Sequence, residues 1–117
     1  MSLKREYRLK KRKQFLEVYT RGKKFSTNHL VIYFLPGKDE KLFGFTVSRK
    51  IGKAVKRNRI KRLLREVVRL RLNSFPENIW YVVNTKKKAK EADFEVLDRE
   101  IADFLNWINE KDFNSAN

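Results

Sequence analysis

The chain has no cysteine and a single histidine, His29. A disulfide framework and a thiolate metal site are therefore excluded, and the paired imidazoles of common zinc centres are missing. Glycine and proline are sparse, at four and two residues in 117, and no repeat, Gly/Ser linker or low-complexity block divides the chain. Long apolar runs are absent too. The longest, Leu30 to Leu35, falls far short of the ~20 residues that cross a bilayer, and Met1 to Lys13 lacks the apolar middle of a signal peptide. A cytoplasmic protein without membrane association is the expectation. Acids are scarce over most of the length: residues 1–90 carry 27 Lys or Arg against six acids, a net of +21. Those six, Glu6, Glu17, Asp39, Glu40, Glu66 and Glu77, lack the close spacing of a two-metal carboxylate site.

What is present is enough for one folded domain. Hydrophobic residues make up 41% of the chain and include nine Phe, four Tyr and two Trp, and they recur in periodic runs, so a core is expected over residues 1–112 with a frayed tail at 113–117. The formal charge of +15 is extreme for this size and points to a polyanionic partner. Its distribution is uneven, because residues 91–112 carry eight acids against Arg99 and Lys111, a net of −6. One side of the molecule is suited to a polyanion.

Phe15, Leu16, Val18 and Tyr19 recur at helical spacing before Gly22, which predicts a first helix over 11–20. His29 to Leu35 and Leu42 to Ser48 are rich in β-branched and aromatic residues and flank a charged turn after Pro36 and Gly37, so they read as a hairpin. From Lys53 to about Leu72 nothing breaks a helix, and Ile60, Leu63, Leu64, Val67 and Leu70 form its apolar stripe. Ile79 to Val83 reads as a short buried strand. Phe94, Leu97, Ile101, Phe104, Leu105 and Ile108 mark a last helix with Asp93 as N-cap. Helices packed on one sheet make the fold class α+β.

The basic stretch Arg49 to Arg71 holds eleven cations and one acid, Glu66. On the predicted helix, Asn58, Lys61, Arg62, Arg65 and Arg69 lie opposite the apolar stripe. Stacked Lys and Arg repel one another, a local cost offset if phosphates neutralise them. A merely solvated helix usually mixes signs for i,i+4 pairing, and here the acids are missing.

The run Lys53-Ala-Val-Lys-Arg-Asn-Arg-Ile-Lys-Arg-Leu-Leu-Arg-Glu66, centred on Arg57-Asn58-Arg59, resembles the Arg-Asn-Arg signature of the bacterial ribonuclease P protein component. Ser48-Arg49-Lys50-Ile51-Gly52 before it, and the early Phe15-x-x-x-Tyr19-x-x-Gly22, also match that family's layout, so the resemblance spans about residues 4–108. It implies a two-layer α/β sandwich: a central, mostly antiparallel four-stranded sheet, three helices and a left-handed β-α-β crossover, against the right-handed default. It further implies that Arg57, Asn58, Arg59, Lys61, Arg62, Arg65 and Arg69, with Lys53 and Lys56 at the helix start, meet a large catalytic RNA. The precursor tRNA 5′ leader would lie in a cleft formed by Phe15, Tyr19, Val31 and Tyr33, with Ser48, Arg49 and Lys50 adjoining. Tyr19 stands where the family commonly has Phe, which keeps a ring and adds a hydroxyl.

The implied activity is endonucleolytic removal of the leader by the holoenzyme. The protein alone is expected to be non-catalytic and to bind no cofactor, with Mg²⁺ held mainly by RNA, and no obligatory protein partner is expected. His29 lacks a second proton carrier and is expected at the surface or a strand edge. Ordinary core packing is the competing reading of Phe15, Tyr19 and Tyr33, and Trp80 and Trp107 are read as core. A ribosomal or chaperone-like RNA-binding protein is the alternative function, which shares the charge without requiring the cleft. A true protein nuclease is a second rival.

Overall fold

The computed structural model describes residues 3–111. The first helix, α1 (Arg12–Arg21), is followed by β1 (Lys23–Ser26), β2 (Leu30–Pro36) and β3 (Leu42–Thr46). Then come α2 (Ala54–Leu70), β4 (Ile79–Thr85) and α3 (Phe94–Lys111). The four strands form one sheet in the order β1-β2-β4-β3, with β1/β2 and β2/β4 antiparallel and β3/β4 parallel. The α+β class with three helices and a mostly antiparallel four-stranded sheet is observed. The parallel pair is joined by a crossover through α2.

The predicted hairpin of β2 and β3 is not formed, because β4 lies between them. Its side chains explain the insertion: Ile79, Tyr81 and Val83 bury one face and Val82 the other, so β4 must be covered on both sides. β2 is apolar on both faces as well and takes the neighbouring place. Strand β1 was not expected, since Lys23, Lys24 and Ser26 are exposed and only Phe25 is half-buried. A polar edge strand of this kind guards the sheet against further pairing and carries almost no hydrophobic signal.

Helices cover both faces of the sheet. On one, α2 and α3 pack against each other and against Leu30, Ile32, Phe34, Phe43, Tyr81 and Val83. Phe104 contacts Phe34, Phe75 and Tyr81 edge-on or tilted at ring separations of 5.7 to 6.3 Å, and truncating a ring so enclosed costs roughly 3–5 kcal/mol. On the other face α1 adds a layer, sealing a smaller core of Leu9, Val18, Leu35, Leu42 and Val82.

Local chemistry sets the helix limits. Gln14 Oε1 accepts from the amides of Lys10 and Lys11 at 3.0 and 2.9 Å, holding the start of α1, and Asp93 Oδ1 accepts from Val96 N at 3.0 Å as the expected N-cap of α3. In α2 the buried stripe is Ile60, Leu64, Val67 and Val68, with Leu63 half-buried. Leu70, expected in that stripe, is 57% exposed, since the helix ends there and Arg71 turns to clamp Asp98 on α3. The expected tail at 113–117 lies outside the described residues.

Candidate nucleic-acid interface

The segment from β3 to α2 is shaped by backbone chemistry. Ser48 Oγ accepts from Lys50 N at 3.1 Å and starts a 3₁₀ turn, Arg49–Ile51, whose Ile51 is buried while Arg49 and Lys50 project outward. Gly52 then adopts φ 143°, a conformation closed to other residues without strain, and redirects the chain into α2. Arg57 donates to Gly52 O at 2.5 Å, tying the first turn of the helix to that bend.

With one side of α2 fixed in the core, the other leaves Lys53, Lys56, Asn58, Arg59 and Arg62 exposed and Arg57, Lys61 and Arg65 half-buried. Asn58, Lys61, Arg62 and Arg65 line an open groove of about 530 Å³, together with Val55, a residue the sequence reading did not single out. Of the cations expected to face RNA from α2, Arg69 alone is ion-paired among the described residues, to Glu66 at 2.6 Å. That bond raises the Arg69 guanidinium pKa above its ordinary value. The remaining cations of the row meet no carboxylate among the described residues. Arg65 is the most constrained. Its Nε is buried without a hydrogen-bond partner, and burial, with the nearby Arg8 charge, lowers its pKa below the usual guanidinium range.

The second surface is the α1 side of the sheet. Val31 and Tyr33 alternate onto it from β2, opposite Asn84 and Val82 of β4. Tyr19 packs edge-on against Tyr33 with centroids 4.8 Å apart. Its hydroxyl donates to Asn84 Oδ1 at 2.9 Å and lies 3.3 Å from Thr46 Oγ1. Phe15 can lie over β3 because position 44 is glycine: a methyl group there would come within 2.4 Å of Phe15 Cε2. Phe15, Tyr19, Val31 and Tyr33 are thus brought onto one face. Phe15, Tyr19 and Tyr33 pad the smaller core, and all four residues stay half-buried, so packing leaves part of each side chain exposed.

Register also places Thr46, Asn84, Lys24 and Ser26 on this face, and the sequence reading missed all four, since locating them requires the strand order. Ser48, Arg49 and Lys50 continue from Thr46 at its end, where Ser48 N donates to Thr85 Oγ1 at 3.3 Å.

His29 sits in the β1–β2 turn, its Nδ1 2.5 Å from Glu100 Oε2, while its amide donates to Glu100 Oε1 at 2.9 Å. The Thr27 hydroxyl donates to the same carboxylate. Burial alone would raise the Glu100 pKa; the bonds from Thr27 and His29 overcome it and hold the carboxyl below its ordinary value. This is a structural latch between α3 and the sheet. No three His, Asp or Glu side chains converge into a metal-binding group among the described residues. No helix among the described residues is long and apolar enough to cross a membrane.

The Ribonuclease P family model matches residues 3–109. The ribonuclease P protein component of Desulfovibrio desulfuricans is 43% identical over 93 residues, covering 77% of this chain and 72% of that protein. That of Clostridium kluyveri is 46% identical over 88 residues, covering 74% and 79%. The solved structure of the RNase P protein from Thermotoga maritima superposes with a TM-score of 0.76 at 32% identity, covering 84% of this chain and 94% of that one. The ribosomal or chaperone-like alternative is not favoured by these relatives. A matched family over nearly the whole length, a shared fold and the basic helix all converge, and the chain belongs to the bacterial ribonuclease P protein components, the protein subunits of the endoribonuclease that processes tRNA.

Proposed function

We propose that the solvent face of α2 binds the large catalytic RNA of ribonuclease P and that the α1 side of the sheet binds the single-stranded 5′ leader of precursor tRNA. The observation that carries the first half is the row from Lys53 to Arg65, anchored from behind by Ile60, Leu64 and Val67 and left without carboxylate partners among the described residues. Mutual repulsion along such a row is relieved when phosphates cover it, and its contacts position the RNA without reading bases. The second half rests on half-exposed rings beside polar groups. Phe15, Tyr19 and Tyr33 offer faces for unpaired bases, each stacking contact being worth roughly 1–3 kcal/mol with little regard to base identity. Asn84, Thr46 and Ser26 add hydrogen-bonding groups, while Lys24, Arg49 and Lys50 add cations along the same path.

In this reading the RNA performs hydrolysis and holds the catalytic Mg²⁺. The protein raises precursor affinity and neutralises phosphates that otherwise repel, in the cytoplasm, without a membrane or an obligatory protein partner. The test is reconstitution with the large RNA and a comparison of precursor with mature tRNA. The holoenzyme is expected to bind precursor more tightly, and nuclease-treated protein alone is expected to cleave nothing. Equal affinity for both tRNAs, or cleavage by the protein alone, overturns the proposal.

A further inference from the structure

The cations of α2 account for contacts to phosphate, but they do not account for Val55. A lone apolar side chain at a protein surface is ordinary. This one is 78% exposed, more than Leu16 or Leu70, the other large apolar residues left open among the described residues, and in sequence it stands between Lys53 and Lys56, inside the cation row. Asn58 follows Val55 by three positions and Arg62 follows Asn58 by four, so the three share a helix face. With Lys61 and Arg65 they line the open groove of about 530 Å³, a volume within the range of roughly 300–1,000 Å³ in which proteins hold small organic groups.

A phosphate gains nothing from Val55, because covering an aliphatic side chain is favourable only when apolar surface covers it. In an RNA duplex the base faces are stacked inside and the outer surface is phosphate and sugar hydroxyl. The apolar surface that RNA can offer a valine is the flat face of a base that has left the stack, as in loops and bulges. The groups around Val55 suit such a nucleotide. Arg62 and Arg65 carry planar guanidinium groups, which can lie along a base or clamp a phosphate. Arg65 is half-buried with its Nε enclosed and unbonded, so packing confines it. Asn58 is exposed and makes no side-chain hydrogen bond among the described residues, which leaves a donor and an acceptor for the sugar. A row of phosphate contacts alone binds equally well at many places along a backbone; a seat for one unstacked base does not.

We infer that the groove at Val55 takes one unstacked nucleotide of the catalytic RNA, its base packed on the valine and its phosphate on Arg62 and Arg65. This deepens the α2 reading above and rests on it: charge holds the backbone, and Val55 fixes where along the RNA the helix sits. The test compares the unmodified protein with Val55→Ala, which removes two methyl groups and no charge. Alanine is the stronger helix former and the site is exposed, so the fold is not weakened. Both proteins are titrated with the large catalytic RNA and with a plain RNA duplex at several salt concentrations. Val55→Ala is expected to bind the catalytic RNA about tenfold more weakly, equivalent to roughly 1.4 kcal/mol, with the same log–log salt slope, because no phosphate contact is lost. Its affinity for the duplex should be unchanged. Chemical probing of unpaired bases at saturating protein should show one position that the unmodified protein protects and the variant leaves reactive. Equal loss on both RNAs, undiminished affinity for the catalytic RNA, a changed slope, or no position differing in reactivity overturns the inference. An unmodified protein that binds the catalytic RNA no more tightly than the duplex overturns the α2 reading instead.

Discussion

Individual residues divide the two surfaces cleanly enough to be tested one at a time. Arg62 is exposed on α2 and meets no carboxylate among the described residues, so Arg62→Ala should leave folding intact. It is expected to weaken assembly with the large RNA and to reduce the log–log salt slope by about 0.7 to 0.9, as measured by titration at several salt concentrations. Arg69 is already neutralised by Glu66 through two hydrogen bonds, at 2.9 and 2.6 Å. Arg69→Ala should therefore change the slope less. On the other surface, Gly44 is the most economical probe. Gly44→Ala forces Phe15 off its place over β3, and filter binding should show weaker affinity for precursor tRNA with mature tRNA unaffected. A parallel loss for both tRNAs would mean that Phe15 only fills the small core.

Among the elements, the latch between α3 and the β1–β2 turn makes the clearest statement about stability. Glu100 and Asp98 are held below the ordinary carboxylate range, Glu100 by Thr27 and His29 against its burial and Asp98 by the Arg71 clamp. Groups lowered in the folded state stabilise it fully above their unfolded value, about 4, and lose that contribution as pH falls through the lowered folded value. Thermal unfolding followed by circular dichroism should therefore show Tm falling below about pH 4. Glu100→Ala should cost roughly 1.5–3 kcal/mol at neutral pH, the usual worth of hydrogen bonds to a charged group, and should remove part of that acid sensitivity.

The same elements show what the sequence makes legible. Both long helices could be read to within two residues at most ends, because Ile60, Leu64, Val67 and Leu97, Ile101, Phe104 repeat at 3.6-residue spacing and Asp93 caps α3. The cation row followed directly from that register. Strand order was not legible: β2 and β4 both carry apolar side chains on both faces, which marks each as buried but does not say which strand it pairs with. Edge strand β1 carries charged and small residues and leaves no local mark. Thr46, Asn84, Ser26 and Lys24 remained hidden for that reason, since their shared face is created by pairing.

At the scale of the whole molecule, charge and fold are complementary. The net −6 of residues 91–112 lies mostly on α3, which packs behind α2 and sends Asp98 to Arg71, while the front of α2 keeps its cations bare. The sheet end, with Arg49 and Lys50 beside the turn Lys87–Glu91, extends the positive surface around the molecule. Self-repulsion on this scale favours binding to RNA and makes it dependent on salt. The most direct measurement is the salt dependence of assembly with the large RNA, for the unmodified protein and for a Lys56→Gln, Arg59→Gln, Arg62→Gln variant shown by circular dichroism to be folded. The log–log slope is expected to be steep and to fall by about 2 to 3 in the variant. An unchanged slope would contradict the assignment of the α2 face to the RNA backbone.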